Sequence, residues 1–159
     1  MTALRIAWFK VYHPLAYYAA YFTVYAGGAF NATVILNGLA SQKQELARIA
    51  ALKHLTAVDK DNAAVIEVAA EMYLRGMEFL PISLEKSEAT AFKIEDGKLL
   101  PSFNCIPALG NAAAGEIVKV RNEHLFTSKA DLKKRGKVSQ SIIDTMEHMG
   151  ILKGLPEED

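Results

Sequence analysis

Apolar positions recur at three- and four-residue steps through most of the chain, the spacing that puts one face of an α-helix on a core. The first such run covers residues 4–12. Pro14 suits the first turn of a second helix, where no backbone N–H is needed. Residues 15–25 continue that helix to a stop at Gly27-Gly28. Tyr17, Tyr18, Tyr21, Phe22 and Tyr25 line one side of it, a stripe that reads as core or as partner-facing. Ser41 is placed to cap a third helix reaching residue 55, and Asp59 or Asp61 a fourth. In the fourth, Val65, Val68, Ala69, Met72 and Tyr73 keep to one face and Gly76 closes it.

The period then changes. Phe92, Ile94 and Leu99 flank Asp96-Gly97, and Asp-Gly between short alternating runs signals a β-hairpin. Helical patterns resume over residues 111–123, 128–135 and 139–149. Ser128 with Asp131 resembles a capping box; Ser139 caps the last helix and Gly150 ends it. The expected fold is mainly α: a helical lobe with a small β-hairpin over residues 1–100, then a compact helical module over residues 101–159.

Composition narrows the class. The 159 residues are 51% hydrophobic and 23% charged, with 18 basic and 18 acidic side chains, which is globular usage rather than disorder. A single cysteine, Cys105, excludes an internal disulfide framework and a cysteine-rich zinc site. No Asp, Glu, Lys or Arg occurs from Val11 to Gln42. Pro14, Gly27-Gly28, Asn31, Asn37 and Gly38 interrupt that stretch, so it reads as buried helices and turns rather than a membrane span. The chain reads as cytoplasmic. Charge is uneven: residues 1–100 hold 10 basic and 10 acidic side chains, while residues 119–137 hold seven basic and two acidic.

Next to that basic stretch lies Ile106-Pro107-Ala108-Leu109-Gly110-Asn111-Ala112, opening a helix. Pro107 pre-sets one turn angle, Gly110 permits a positive φ or a close backbone approach, and Leu109 can plug the turn into a core. Such a turn leaves free N–H groups at the helix start, an arrangement that suits a phosphate oxygen. Lys119 and Arg121 lie further along the same helix, about three turns on.

These residues resemble a helix-hairpin-helix duplex-DNA-binding motif, whose hairpin commonly runs hydrophobic, any residue, Gly, hydrophobic, Gly. Here Ala108 stands at the first glycine position and Gly110 at the second. The segment Ala7-Trp8-Phe9-Lys10-Val11-Tyr12-His13-Pro14, continuing to Ala20, resembles an aromatic-rich stretch late in the fingers region of C-family replicative DNA polymerases. Phe126-Thr127-Ser128-Lys129-Ala130-Asp131-Leu132, then Arg135 and Val138-Ser139, resembles the segment on the carboxy-terminal side of their hairpin. Met149-Gly150-Ile151-Leu152 and Gly154-Leu155-Pro156 resemble its ending. Order and spacing agree over nearly the whole chain, and the portion resembled is the carboxy-terminal part of PolC-type (Gram-positive-type) DNA polymerase III alpha subunits.

The resemblance implies a replicative nucleotidyltransferase as parent, using magnesium on palm aspartates that no segment here matches. This portion is then expected to hold duplex DNA without copying it, to need no cofactor of its own, and to pack on the remainder of the polymerase chain. The parent's sliding-clamp peptide has no counterpart before Glu157-Glu158-Asp159. The residues expected to meet DNA are Pro107, Ala108, Leu109, Gly110, Asn111 and Ala112 on one strand, with Lys119 and Arg121 nearby. Lys133, Lys134, Arg135, Lys137 and Ser139 are expected on the other. The alternative is a helical protein-interaction module using the uncharged aromatic stretch. Asp59-Lys60-Asp61 imitates a metal-binding carboxylate pair, but its position between helical patterns favours capping. The spacing of Gly110 and Gly115 imitates a phosphate loop but lacks its Lys-Ser/Thr. No ligand spacing links His13, His54, His124 and His148.

Overall fold

The computed structural model describes residues 2–159. The elements are α1 (Ala3–Tyr12), α2 (Pro14–Tyr25), α3 (Ala32–Ile35), α4 (Leu39–Ala50), α5 (Ala57–Leu74), β1 (Lys93–Glu95), β2 (Lys98–Leu100), a 3₁₀ turn (Phe103–Cys105), α6 (Asn111–Glu123), α7 (Lys129–Arg135) and α8 (Gln140–His148). Thus the protein is mainly helical, with one small antiparallel hairpin. Among the described residues no helix is long and apolar enough to cross a membrane.

His13 ends α1 and begins α2, and Pro14 takes the first position of α2 as expected. Two starts differ from expectation. The third predicted helix begins at Leu39 behind Gly38, whose φ of 95° only glycine adopts readily, so Ser41 lies inside the first turn. At α5 the cap is Thr56, which accepts from Asp59 N–H while the Asp59 carboxylate accepts from Thr56 N–H. Asp59 therefore closes a capping box from inside the helix, which accounts for it without a metal. The short α3, capped by Asn31, is too brief to leave a periodic signal.

The core centres on aromatic rings from segments far apart in sequence. Phe22 on α2 meets Phe79 at 5.0 Å and Phe30 at 5.5 Å between centroids, and Phe30 meets Phe92 at 5.1 Å, all in tilted or edge-on geometry. Such pairs add to the burial of their area. Thr23 Oγ1 accepts from Phe92 N–H at 2.9 Å, fixing the approach to the hairpin. In that hairpin Ile94 faces Leu99 across the ladder. Asp96 (φ 51°) and Gly97 (φ 73°) make the turn, with the two positive φ values a type I′ turn requires. On its other edge, Leu80 N–H donates to Leu99 O at 2.8 Å and Leu99 N–H to Glu78 O at 3.1 Å.

Beyond β2 the chain dives inward: residues 101–106 are all buried. Phe103 and Asn104 donate their N–H groups to Glu88 O and Ala89 O. This buried run sets the position from which the turn at residues 106–110 emerges. One apolar cluster extends from Tyr18 and Phe22 through Phe103 and Ile117 to Met146 and Leu152. Truncating its centre, Phe22→Ala, is expected to cost about 3–5 kcal/mol, read as a lowered denaturation midpoint; a loss below about 1 kcal/mol would show that the rings do not pack as described.

Candidate nucleic-acid interface

The turn between the 3₁₀ segment and α6 places a donor-rich helix start at the surface. Leu109 N–H donates to Ile106 O at 3.1 Å, with Pro107 and Ala108 at the corner. Ala108 has φ 67°; with proline before it and that hydrogen bond closing the turn, the geometry is type II, which favours glycine at this position. Leu109 is buried and plugs the turn, while Pro107, Ala108, Gly110, Asn111 and Ala112 are exposed. Of the two uses expected of Gly110, a positive φ or a close backbone approach, the first is not taken up: it caps α6 at φ −77°, ψ 171°, extended backbone open to any residue. A Cβ at Gly110 would meet nothing within 4 Å.

No side chain caps α6. Its first internal bond of this kind runs from Ala114 N–H to Gly110 O at 2.9 Å, so the amides of residues 111–113 point out of the helix start. Asn111 instead holds the corner in place: its Oδ1 accepts from Asn104 Nδ2 at 3.0 Å, and Asn104 Oδ1 accepts from Ser102 Oγ at 2.5 Å. A recess of about 500 Å³ lies beside the turn, lined by Gly27, Gly28, Asn31, Asn104, Ala108 and Gly110 among others. The sequence pattern assigns Gly27-Gly28 only a helix stop and does not single out Asn104; neither carries a periodic or charge signal.

A second corner repeats this geometry. After α7, Lys137 has φ 53°, Val138 is buried, and Ser139 caps α8 at φ −69°, ψ 159°. Ala108, Leu109 and Gly110 occupy the same three roles before α6. Here Val138 N–H donates to Lys133 O at 3.2 Å, and the Ser139 hydroxyl accepts from Ile142 N–H at 3.3 Å. Gly136 is required by packing, since a Cβ would come within 2.6 Å of Leu132 O. No repeat is visible in the sequence, because Lys137 stands where glycine would announce the turn.

The basic residues divide into two groups. Arg121 is corrected from a DNA contact to an interior group: it is 7% exposed, donates to Ser87 O at 2.5 Å, and lies over the Phe103 ring at 5.9 Å. Arg135 is likewise committed internally. Its guanidinium donates to Asp131 at 2.9 Å, to Val120 O at 2.8 Å and to His124 O at 2.9 Å, satisfying carbonyls at the end of α6. Lys119, Lys133, Lys134 and Lys137 are exposed. Lys133 Nζ donates to Gln140 Oε1 at 3.1 Å, and Lys137 Nζ lies 3.4 Å from Glu116 Oε1 of α6, which sets the second corner against α6. Among the described residues neither Lys119 nor Lys134 pairs with a carboxylate.

The capping box expected at α7 is present in half: Ser128 Oγ accepts from Asp131 N–H at 2.9 Å, but the Asp131 carboxylate accepts from Thr127 N–H at 3.1 Å. Burial pushes the Cys105 thiol up to about 12, so it is an inert core group beside the turn.

The helix-hairpin-helix motif family matches residues 76–158. The chain is 43% identical over 157 residues to a DNA polymerase III PolC-type of Thermotoga maritima, covering 99% of this chain and 11% of that protein. It is 44% identical over 161 residues to the DNA polymerase III PolC-type of Bacillus subtilis, covering 100% of this chain and 11% of that one. The Clostridium perfringens DNA polymerase III PolC-type is 41% identical over 160 residues, with the same coverage. The chain thus spans about 11% of the length of these curated relatives.

The corner geometry generates two stability predictions. Ala108→Gly is expected to raise stability by about 0.5–1 kcal/mol, because it relieves a left-handed alanine; a decrease in the denaturation midpoint would contradict the turn assignment. Arg135→Ala is expected to cost about 1.5–3 kcal/mol through the loss of its charge-assisted bonds to Asp131, Val120 O and His124 O, while Lys134→Ala changes little; equal effects would place Arg135 at the surface after all.

Proposed function

Since the chain belongs to the helix-hairpin-helix motif family, we propose that it holds duplex DNA by the sugar–phosphate backbone, as the primer–template-gripping portion of a replicative polymerase. The observation that carries this reading is the uncapped, exposed start of α6 behind a glycine whose missing side chain nothing inside the protein requires. A phosphate oxygen there receives the free amides of residues 111–113 and the positive end of the helix dipole. Residues 101–159 supply this grip, and residues 1–100 form the lobe that carries it. The second corner, at Lys137 and Ser139, takes the other backbone, with Lys133 and Lys134 beside it and Lys119 adding charge along α6.

Amides and lysines aimed at phosphates position a duplex without reading its bases. Binding is therefore nearly independent of sequence and falls steeply with salt. The relatives' name, DNA polymerase III PolC-type, agrees with a role in DNA replication. In that setting the catalytic aspartates and magnesium belong elsewhere, and the sliding clamp is reached through another segment.

A second role rests on α1, which buries no residue and exposes Leu4, Trp8, Val11 and Tyr12. That apolar face suits packing on further polymerase protein rather than on DNA.

Anisotropy on a short duplex at about 50 mM and about 200 mM salt tests the main reading. Gly110→Val is expected to weaken binding. Lys133→Ala, Lys134→Ala and Lys137→Ala together are expected to weaken it and to reduce the log–log salt slope by about 0.9 for each lysine that sits on a phosphate. Unchanged affinity in folded variants, or a wild-type affinity insensitive to salt, would contradict it.

A further inference from the structure

One lysine of the basic stretch is neither interior nor free. Lys129 Nζ lies 2.6 Å from Glu147 Oε1 and 2.6 Å from Glu157 Oε1, and only 12% of its side chain is exposed. The partner Glu157 comes from the last residues of the chain, which are tied to the same place by main-chain bonds. Lys129 N–H donates to Pro156 O at 2.8 Å, and Ala130 N–H donates to Glu157 O at 3.0 Å. Thr127 Oγ1 bonds the Asp159 carboxylate. Residues 156–159 therefore lie as an acidic strap across the beginning of α7.

That strap borders the second corner. Lys129, Lys133, Gln140, Glu157 and Glu158 help to line one recess of about 220 Å³. Gln140 is the first residue of α8 and accepts from Lys133. Carboxylates thus stand among the cations that flank the second corner.

We propose that residues 157–159 form an autoinhibitory strap: their carboxylates occupy Lys129 and screen Lys133, and must be displaced before a nucleic-acid backbone engages the second corner. The proposal rests on the DNA-holding reading above. Displacement is feasible because Glu157 is 79% exposed, so water and salt compete for its ion pair. A duplex offers many phosphates at once where the strap offers three carboxylates.

The test compares the full chain with E157Q/E158Q/D159N, and with D61N/E67Q/D96N as an equal change of charge at exposed positions outside the strap. Each is titrated with a short duplex by anisotropy. The strap variant is expected to bind about 3- to 10-fold tighter than wild type, and its slope to steepen by about 0.9 only when E147Q, which removes the second partner of Lys129, is added. The control is expected to gain less than about twofold. E157Q alone, which keeps the Glu158 and Asp159 carboxylates, is expected to fall between. Hydrogen exchange gives an independent readout: Lys129 and Ala130 amides are expected to be protected in the free protein and to lose protection on adding duplex. If the wild type binds duplex and the strap variant gains no more than the control, the strap is overturned while the DNA-holding reading stands. If neither wild type nor strap variant binds, both are overturned.

Discussion

An α-helix begins with backbone N–H groups that have no acceptor within it, and α6 begins without a side chain to satisfy them. The contrast lies within the same protein. Thr2, Asn31, Thr56, Ser128 and Ser139 each supply a capping oxygen at their own helices. At α6 the capping residue is Gly110, which has neither a side chain nor a positive φ. What holds the open start in place is buried around it: Leu109 inside the core, Asn104 bonded to Asn111, and residues 101–106 packed below. The donors are therefore held in place and face outward, which is what an anion site needs; α2 and α4 also start without a side-chain cap, and what sets α6 apart is the exposed corner before it and the lysines near it.

The basic stretch looks different once its side chains are placed. Arg121 and Arg135 act on carbonyls and aromatic rings within the protein. Arginine suits that work, since its planar fork serves several acceptors at once and is weakly hydrated. Within residues 119–137 the exposed cations are lysines, which act as flexible point charges. This stretch thus separates two tasks: Arg121 and Arg135 bind α6 to the chain segments beside it, and Lys119, Lys133, Lys134 and Lys137 give the surface its charge. Lys137 joins the two, because its main chain makes the second corner and its side chain reaches Glu116 on α6.

Much of this is legible from residue order. The helices with a long apolar face announce themselves, as does the Asp96-Gly97 turn, whose residues suit two positive φ values. The α6 start is marked by Pro107, Leu109 and Gly110. Starts set by backbone geometry are less visible. Ser41 is a plausible cap until Gly38, with its positive φ, places the helix start earlier, at Leu39. The second corner stays hidden because alanine and lysine stand at the two left-handed positions, Ala108 and Lys137, where glycine would mark a repeat. Arg121 and Arg135 escape a sequence reading for a different reason: their partners, such as Ser87 O and Val120 O, are main-chain atoms, and no pattern of residue types announces those.

On the proposed reading, the amides at the head of α6 receive phosphate. The most direct measurement is amide-resolved nuclear magnetic resonance of the labelled chain during titration with a short duplex at low salt. The largest shifts are expected at the N–H groups of Gly110, Asn111, Ala112 and Ala113, with a second set around Ser139 and Gln140. Shifts confined to α1, or absent from the head of α6 while DNA is bound, would contradict that reading.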